Sequence, residues 1–152
     1  MKLPQPRKII AEKYVAGLSL FKSRRSPIKL SANESALGPS PKAVKSYSSV
    51  GKGFVRYPDS DGTYFRKVLA KKFKLKRDRI ILGSGSDQIF ELICKLFLNK
   101  GDEVVVPEYS FIIYRIYSRM FGARVRYAKE DNFSASVESI MNCVNKKTKI
   151  VF

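Results

Sequence analysis

The sequence predicts an α/β protein in which a mainly parallel sheet carries helices on its faces. Three observations carry this prediction. Apolar runs too short for a helix recur at 80–82, 104–106, 125–127 and 150–152, and each gap between them holds a segment with helical apolar spacing. The strand starts fall 20 to 25 residues apart, the spacing of right-handed β-α-β crossovers.

Residues 1–38 mix prolines and glycines with polar residues, and only Pro27-Ile28-Lys29-Leu30 reads as extended, so this stretch is an arm lying over something else. Residues 39–152 are the α/β domain. At Ser40-Pro41 an N-cap residue precedes a proline at the first helical position, which starts a helix running to about Val50 and closed by Gly51-Lys52-Gly53. A second helix fits Thr63 to Phe73, where Phe65, Val68, Leu69 and Phe73 share a face. The turn-rich segment Arg56-Tyr57-Pro58-Asp59-Ser60-Asp61-Gly62 joins the two.

After Asp78 the order reads β-α-β-α-β-α-β. The helical faces are Ile89/Leu92/Ile93/Leu96/Phe97, Ile113/Ile116/Tyr117/Met120/Phe121 and Val137/Ile140/Met141/Val144. Strands in such a sheet are expected to be buried on both sides. Phe152 then closes the sequence on a strand that needs neighbours.

With 152 residues, 44% of them hydrophobic, the chain can build one core. Thirty Lys and Arg against 13 Asp and Glu give a net charge of +17, which favours phosphate-bearing partners of any kind. The basic residues are scattered along the chain, so a solvated basic surface is preferred, with a basic nucleic-acid-binding module as the alternative function. The chain has no His, and Cys94 and Cys143 lie in apolar helical patterns without CxxC spacing, which leaves no metal set and points to buried thiols in a reducing compartment. There is no signal-peptide pattern and no run of about 18 apolar residues, so a cytoplasmic protein with no membrane association is expected.

Ligands of such sheets gather at the carboxyl ends of the strands. The loop Leu82-Gly83-Ser84-Gly85-Ser86-Asp87-Gln88 brings two glycines and two hydroxyls to a helix N-terminus, where backbone N–H groups can cradle a phosphate. The same residues also suit a plain turn capped by Ser84 or Ser86. A P-loop is excluded because no Gly-Lys-Ser/Thr follows, and the third glycine of GxGxxG is missing. The loop Pro107-Glu108-Tyr109-Ser110-Phe111 brings aromatic rings to the same edge, where Phe111 suits either stacking on a flat cofactor or a place in the core.

Four blocks occur in an order and spacing that form a pattern: Ser31-Ala32-Asn33-Glu34-Ser35-Ala36-Leu37-Gly38-Pro39-Ser40-Pro41-Lys42-Ala43, Arg56-Tyr57-Pro58-Asp59, Gly83-Ser84-Gly85-Ser86-Asp87, and Glu108 through Tyr114-Arg115-Ile116. From about Tyr14 to Phe152 the chain resembles the first half of the histidinol-phosphate aminotransferases, class-II pyridoxal-phosphate-dependent enzymes of fold type I. The resemblance implies pyridoxal 5'-phosphate as cofactor, with Ser86 and Asp87 on its phosphate and Phe111 stacked on its ring. It implies a homodimer in which Tyr57 reaches the phosphate of the partner subunit's cofactor. Tyr14 and Asn33 would lie near the substrate, a small phosphorylated amine.

The chain departs from the family where Asn33-Glu34-Ser35-Ala36 replaces the usual Asn-Glu-Asn-Pro, where Ala16 replaces a common proline, and where Ser84 replaces a common asparagine. The first two soften the arm. In the family, the strand matching the one at Phe152 is followed by a loop against the cofactor ring. Beyond it come an aspartate for the pyridine nitrogen, the lysine that anchors the cofactor and moves the substrate proton, and an arginine for the substrate carboxylate. No catalytic residue is therefore assigned within this sequence. The expectation is a truncated large domain, inactive alone or completed by a complementary C-terminal half chain.

Overall fold

A computed structural model describes residues 9, 11–15, 28, 30 and 32–152. They divide into two compact units, one formed by Gly83–Phe152 with the segment ending at Tyr14, the other lying within Val15–Leu82. Among the described residues of the expected stretch 27–30, Ile28 and Leu30 are exposed and outside any helix or strand, while Pro27 and Lys29 lie outside the described residues.

In the second unit, helix α1 spans Pro41–Val50 and helix α2 spans Thr63–Phe73, as their spacing predicts. Ser40 precedes α1 without a side-chain cap; its carbonyl takes the Val44 amide at 3.0 Å. Gly51 leads into a 3-10 turn over Gly51–Val55. The turn before α2 is organised by Asp59, whose carboxylate accepts the amides of Asp61 and Tyr64, each at 3.3 Å, in the manner of an Asx turn. Gly62, at φ 58°, ends that turn and lies against the Leu82 side chain, so any Cβ there would collide.

The run Ile80-Ile81-Leu82 does not form the expected first strand. Ile80 is extended (φ −117°, ψ 122°), but no described strand pairs with it, and Ile81 is exposed. A short apolar run sets backbone preference; a strand also needs a neighbour to take its amides and carbonyls.

The first unit holds the sheet. Helix α3 (Gly85–Phe97), strand β1 (Glu103–Pro107), helix α4 (Ile112–Met120) and strand β2 (Arg124–Ala128) follow in order. A small antiparallel hairpin comes next, β3 (Glu130–Asp131) with β4 (Ser134–Ala135), which the apolar pattern does not predict. Helix α5 (Val137–Cys143) and strand β5 (Thr148–Val151) complete the unit. The main sheet is parallel with order β2-β1-β5; Val104 pairs with Val125 on one side and with Ile150 on the other.

Val104 and Val106 enter a core with Cys94, Leu98 and Ala123, against which Tyr114, Tyr117, Phe121, Val125, Ile150 and Phe152 pack. Val105 faces the opposite side, by the period of two, and is just as buried. Burial on both sides therefore holds for β1 alone. β5 alternates, with Lys149 and Val151 exposed, while β2 leaves Arg124, Arg126 and Tyr127 exposed, so these outer strands are covered only in part. Of the two cysteines expected to be buried, Cys94 is and Cys143 is only partly so.

Candidate functional site

The rings of Phe90, Tyr114 and Phe152 join α3 to α4 and to the carboxyl end of β5. At the start of α3, Gly85 takes φ 71°, a left-handed conformation natural to glycine, and its amide folds back to the Gly83 carbonyl at 2.9 Å. The Ser84 amide donates to Gln88 Oε1 at 2.6 Å, so a side chain four residues on takes the N-cap donor. Ser84 makes no side-chain cap, and the Ser86 side chain is exposed, so the sequence-level alternative of a serine-capped turn is not how this helix starts. Two early donors are thus engaged. Those of Ser86 and Asp87 belong to the turn that an α-helix leaves without carbonyl partners, and the helix dipole adds positive potential there.

Asp87 is half-buried, and its charge, with that of Glu91, acts on Tyr117 of α4. Burial first, and these two carboxylates second, hold the Tyr117 hydroxyl above the usual tyrosine range, so it stays protonated at neutral pH.

Phe111 is the N-cap residue of α4 and is 43% exposed. It meets Tyr114 edge-on, with centroids 5.9 Å apart at 87°. Tyr114 in turn stacks flat on Phe152 at 4.7 Å and takes Phe90 of α3 edge-on at 4.9 Å. The Phe90–Tyr114–Phe111 chain therefore connects the first turns of α3 to the ring whose remaining surface is open. Phe111 is neither fully core nor free: it is braced on one side and available on the other. The sequence places Phe152 on a strand and gives Phe90 no part in the site. Their role as braces has no sequence signal, because edge and face contacts arise only when three elements converge.

The structure thus brings Ser86, Asp87 and Phe111 together in one unit. Tyr14 belongs to the same unit and is 51% exposed. Tyr57 and Asn33 belong to the other; Tyr57 is 99% exposed, on the turn that Asp59 organises, and Asn33 is exposed. Asp59 has no assigned role at the sequence level; an Asp two residues after the tyrosine and ahead of a helix is the available signal. Among the described residues no cluster of His, Cys, Asp or Glu could hold a metal ion, and no helix is long and apolar enough to cross a membrane.

An α/β unit with a parallel sheet, a glycine-rich helix N-terminus and an aromatic ring at the carboxyl edge defines the frame of fold-type-I transferases. Residues 25–152 match the family model of aminotransferase class I and II, and the chain belongs to that family. It is 46% identical over 152 residues to the histidinol-phosphate aminotransferase of Pelagibacter ubique (strain HTCC1062) and 36% identical over 150 residues to histidinol-phosphate aminotransferase 1 of Caulobacter vibrioides. All of this chain is matched in the first comparison, but it spans 42% of the length of each relative.

Among solved structures, histidinol-phosphate aminotransferase from Sinorhizobium meliloti in complex with pyridoxal-5'-phosphate matches with a TM-score of 0.72 and 21% identity, covering 76% of this chain and 32% of that one. Aspartate aminotransferase from Rhizobium meliloti matches with a TM-score of 0.69 and 23% identity, covering 80% and 33%. At such identity these two structures establish the fold.

Proposed function

We propose that this chain supplies the phosphate cradle and ring-stacking wall of a pyridoxal-phosphate-dependent aminotransferase acting on histidinol phosphate or a related amino acid. The observation that carries the proposal is the glycine-rich start of α3 in the same unit as Phe111, to which α3 is linked through Phe90 and Tyr114. It lies in a chain 46% identical to a histidinol-phosphate aminotransferase.

The residues present fit the cofactor. A Cβ placed on Gly85 would meet nothing within 4 Å, so the turn is open on that side. The Ser86 hydroxyl and amide and the Asp87 amide can donate to a phosphate, while the Asp87 carboxylate contributes no donor. Phe111 would cover one face of the ring and exclude water from it. When bound, pyridoxal phosphate supplies the electron-withdrawing ring that weakens the Cα–H bond of an amino donor.

The remaining roles follow the family resemblance. Tyr57 reaches the phosphate of the partner subunit's cofactor in a homodimer, Tyr14 and Asn33 approach the substrate, and residues 1–38 form an arm ahead of the domain at 39–152. The cofactor-anchoring lysine, the aspartate for the ring nitrogen and the arginine for the substrate carboxylate come from sequence outside these 152 residues, on a complementary half chain or a longer product. The setting is cytoplasmic. The family match lends no support to a nucleic-acid module.

A non-aldehydic analogue, 4'-deoxypyridoxine 5'-phosphate, tests the cradle without forming lysine adducts. It is expected to bind the chain saturably, followed by its fluorescence. Ser86→Ala weakens binding about tenfold, through loss of a charge-assisted hydrogen bond. Phe111→Ala weakens it several-fold. Non-saturable binding, or affinity indifferent to both substitutions, would remove the basis of the proposal.

A further inference from the structure

One long-range ionic contact in the first unit lies outside the cradle. Arg115 and Arg119 are one turn apart on α4 and share a face. Arg115 Nε donates to Glu12 Oε2 at 2.6 Å, and Arg119 Nη1 donates to Glu12 Oε1. Each carboxylate oxygen thus has its own guanidinium. Arg119 is fixed in turn by its Nη2, which donates to the Tyr127 hydroxyl of β2 at 3.1 Å.

The side chains of residues 11–14 are all exposed, so apolar burial does not hold this segment to the unit. Among the described residues, the Glu12 fork is the side-chain hydrogen bonding that ties residues 11–14 down. Its partners are separated by more than a hundred positions in sequence, so the fork closes a long loop on one short stretch of chain. An isolated surface pair stabilises little. Two guanidinium groups on one carboxylate, one of them braced by a tyrosine, constrain geometry far more than they stabilise the fold.

We propose that Glu12 is a positioning residue: with Arg115 and Arg119 it fixes the N-terminal segment on α4 and so sets the place of Tyr14, two positions further on. α4 is also the helix that Phe111 caps, so the segment and the ring wall share one support. The proposal rests on the aminotransferase reading only for the substrate role of Tyr14; the positioning itself needs no ligand.

The chain contains no tryptophan, so Tyr14→Trp installs a single fluorescent reporter. In that background the anisotropy of the introduced indole is expected to be high at low salt and to fall as salt screens the half-exposed fork. Adding Glu12→Gln brings the anisotropy down at all salt concentrations and removes the salt response. In the chain with Tyr14 intact, Glu12→Gln speeds tryptic cleavage after Lys13 about tenfold, with far-UV circular dichroism unchanged. An Arg115→Gln, Arg119→Gln double variant behaves alike. An anisotropy that ignores salt, or one unaltered by Glu12→Gln, overturns the proposal. Neither outcome bears on the cofactor analogue, whose titration decides the aminotransferase reading separately.

Discussion

Lys74 closes α2 in the left-handed conformation, at φ 54° and ψ 39°, where its amide donates to the Ala70 carbonyl. The Leu75 amide donates to the same carbonyl at 3.0 Å. A Cβ in this conformation costs about 1 kcal/mol relative to glycine, which is why glycine is the common residue just past a helix end. Lys74→Gly is therefore expected to raise the unfolding free energy by about 1 kcal/mol, read as a higher urea midpoint at unchanged slope. An equal or lower midpoint would mean that the lysine stem makes contacts that offset the strain. At the same scale, Ser86, Asp87 and Phe111 are candidates through the family resemblance; residue type alone leaves the loop at 83–88 between a phosphate cradle and a plain turn. The sequence left open whether Phe111 is wall or core, because that depends on Tyr114, Phe90 and Phe152 arriving from three other elements.

Strands and helices were legible where chemistry and periodicity agree. β1 reads as an uninterrupted apolar run, and α2 has its predicted bounds because apolar spacing and turn residues coincide. The run at 80–82 has strand composition but no partner in the described structure, and composition carries no information about a partner.

The amino end of the sheet shows how elements are tied together. Glu103 of β1 accepts from Asn145 Nδ2 at 2.7 Å and from Arg126 Nη1 of β2 at 3.4 Å, linking β1 to β2 and to the approach to β5. The Asn145 hydrogen bond first, then the Arg126 charge, hold the Glu103 carboxyl below the usual glutamate range. A folded pKa below the unfolded one means that this stabilisation is complete above the ordinary glutamate value and is lost as pH falls through the lowered one. Glu103→Gln is expected to flatten that acid limb of the stability profile, measured by denaturation at a series of pH values. Parallel profiles for the variant and the parent would show that the contact does not contribute.

At the scale of the molecule, the two cysteines report on different processes. Cys94 is fully buried in the core, and burial pushes its thiol above the ordinary cysteine range. Cys143, at the end of α5, is partly exposed, with its Sγ 3.5 Å from the Tyr127 carbonyl. A thiol reagent at neutral pH should label Cys143 at least about a hundredfold faster than Cys94, which must await opening of the core. Mass spectrometry of the labelled peptides gives the ratio directly; comparable rates would mean that the α3–β1 core opens readily.

The sequence by itself determined the α/β class, the helices, three parallel strands and the family, because these depend on residue type, periodicity and motif order along one dimension. Tertiary structure alone decided that β1 is central and its neighbours half-covered, that Phe111 is braced through Tyr114, and that Glu12 reaches two arginines of α4. Each of these depends on which surfaces meet, and a chain folding in three dimensions fixes that through contacts between residues far apart in sequence.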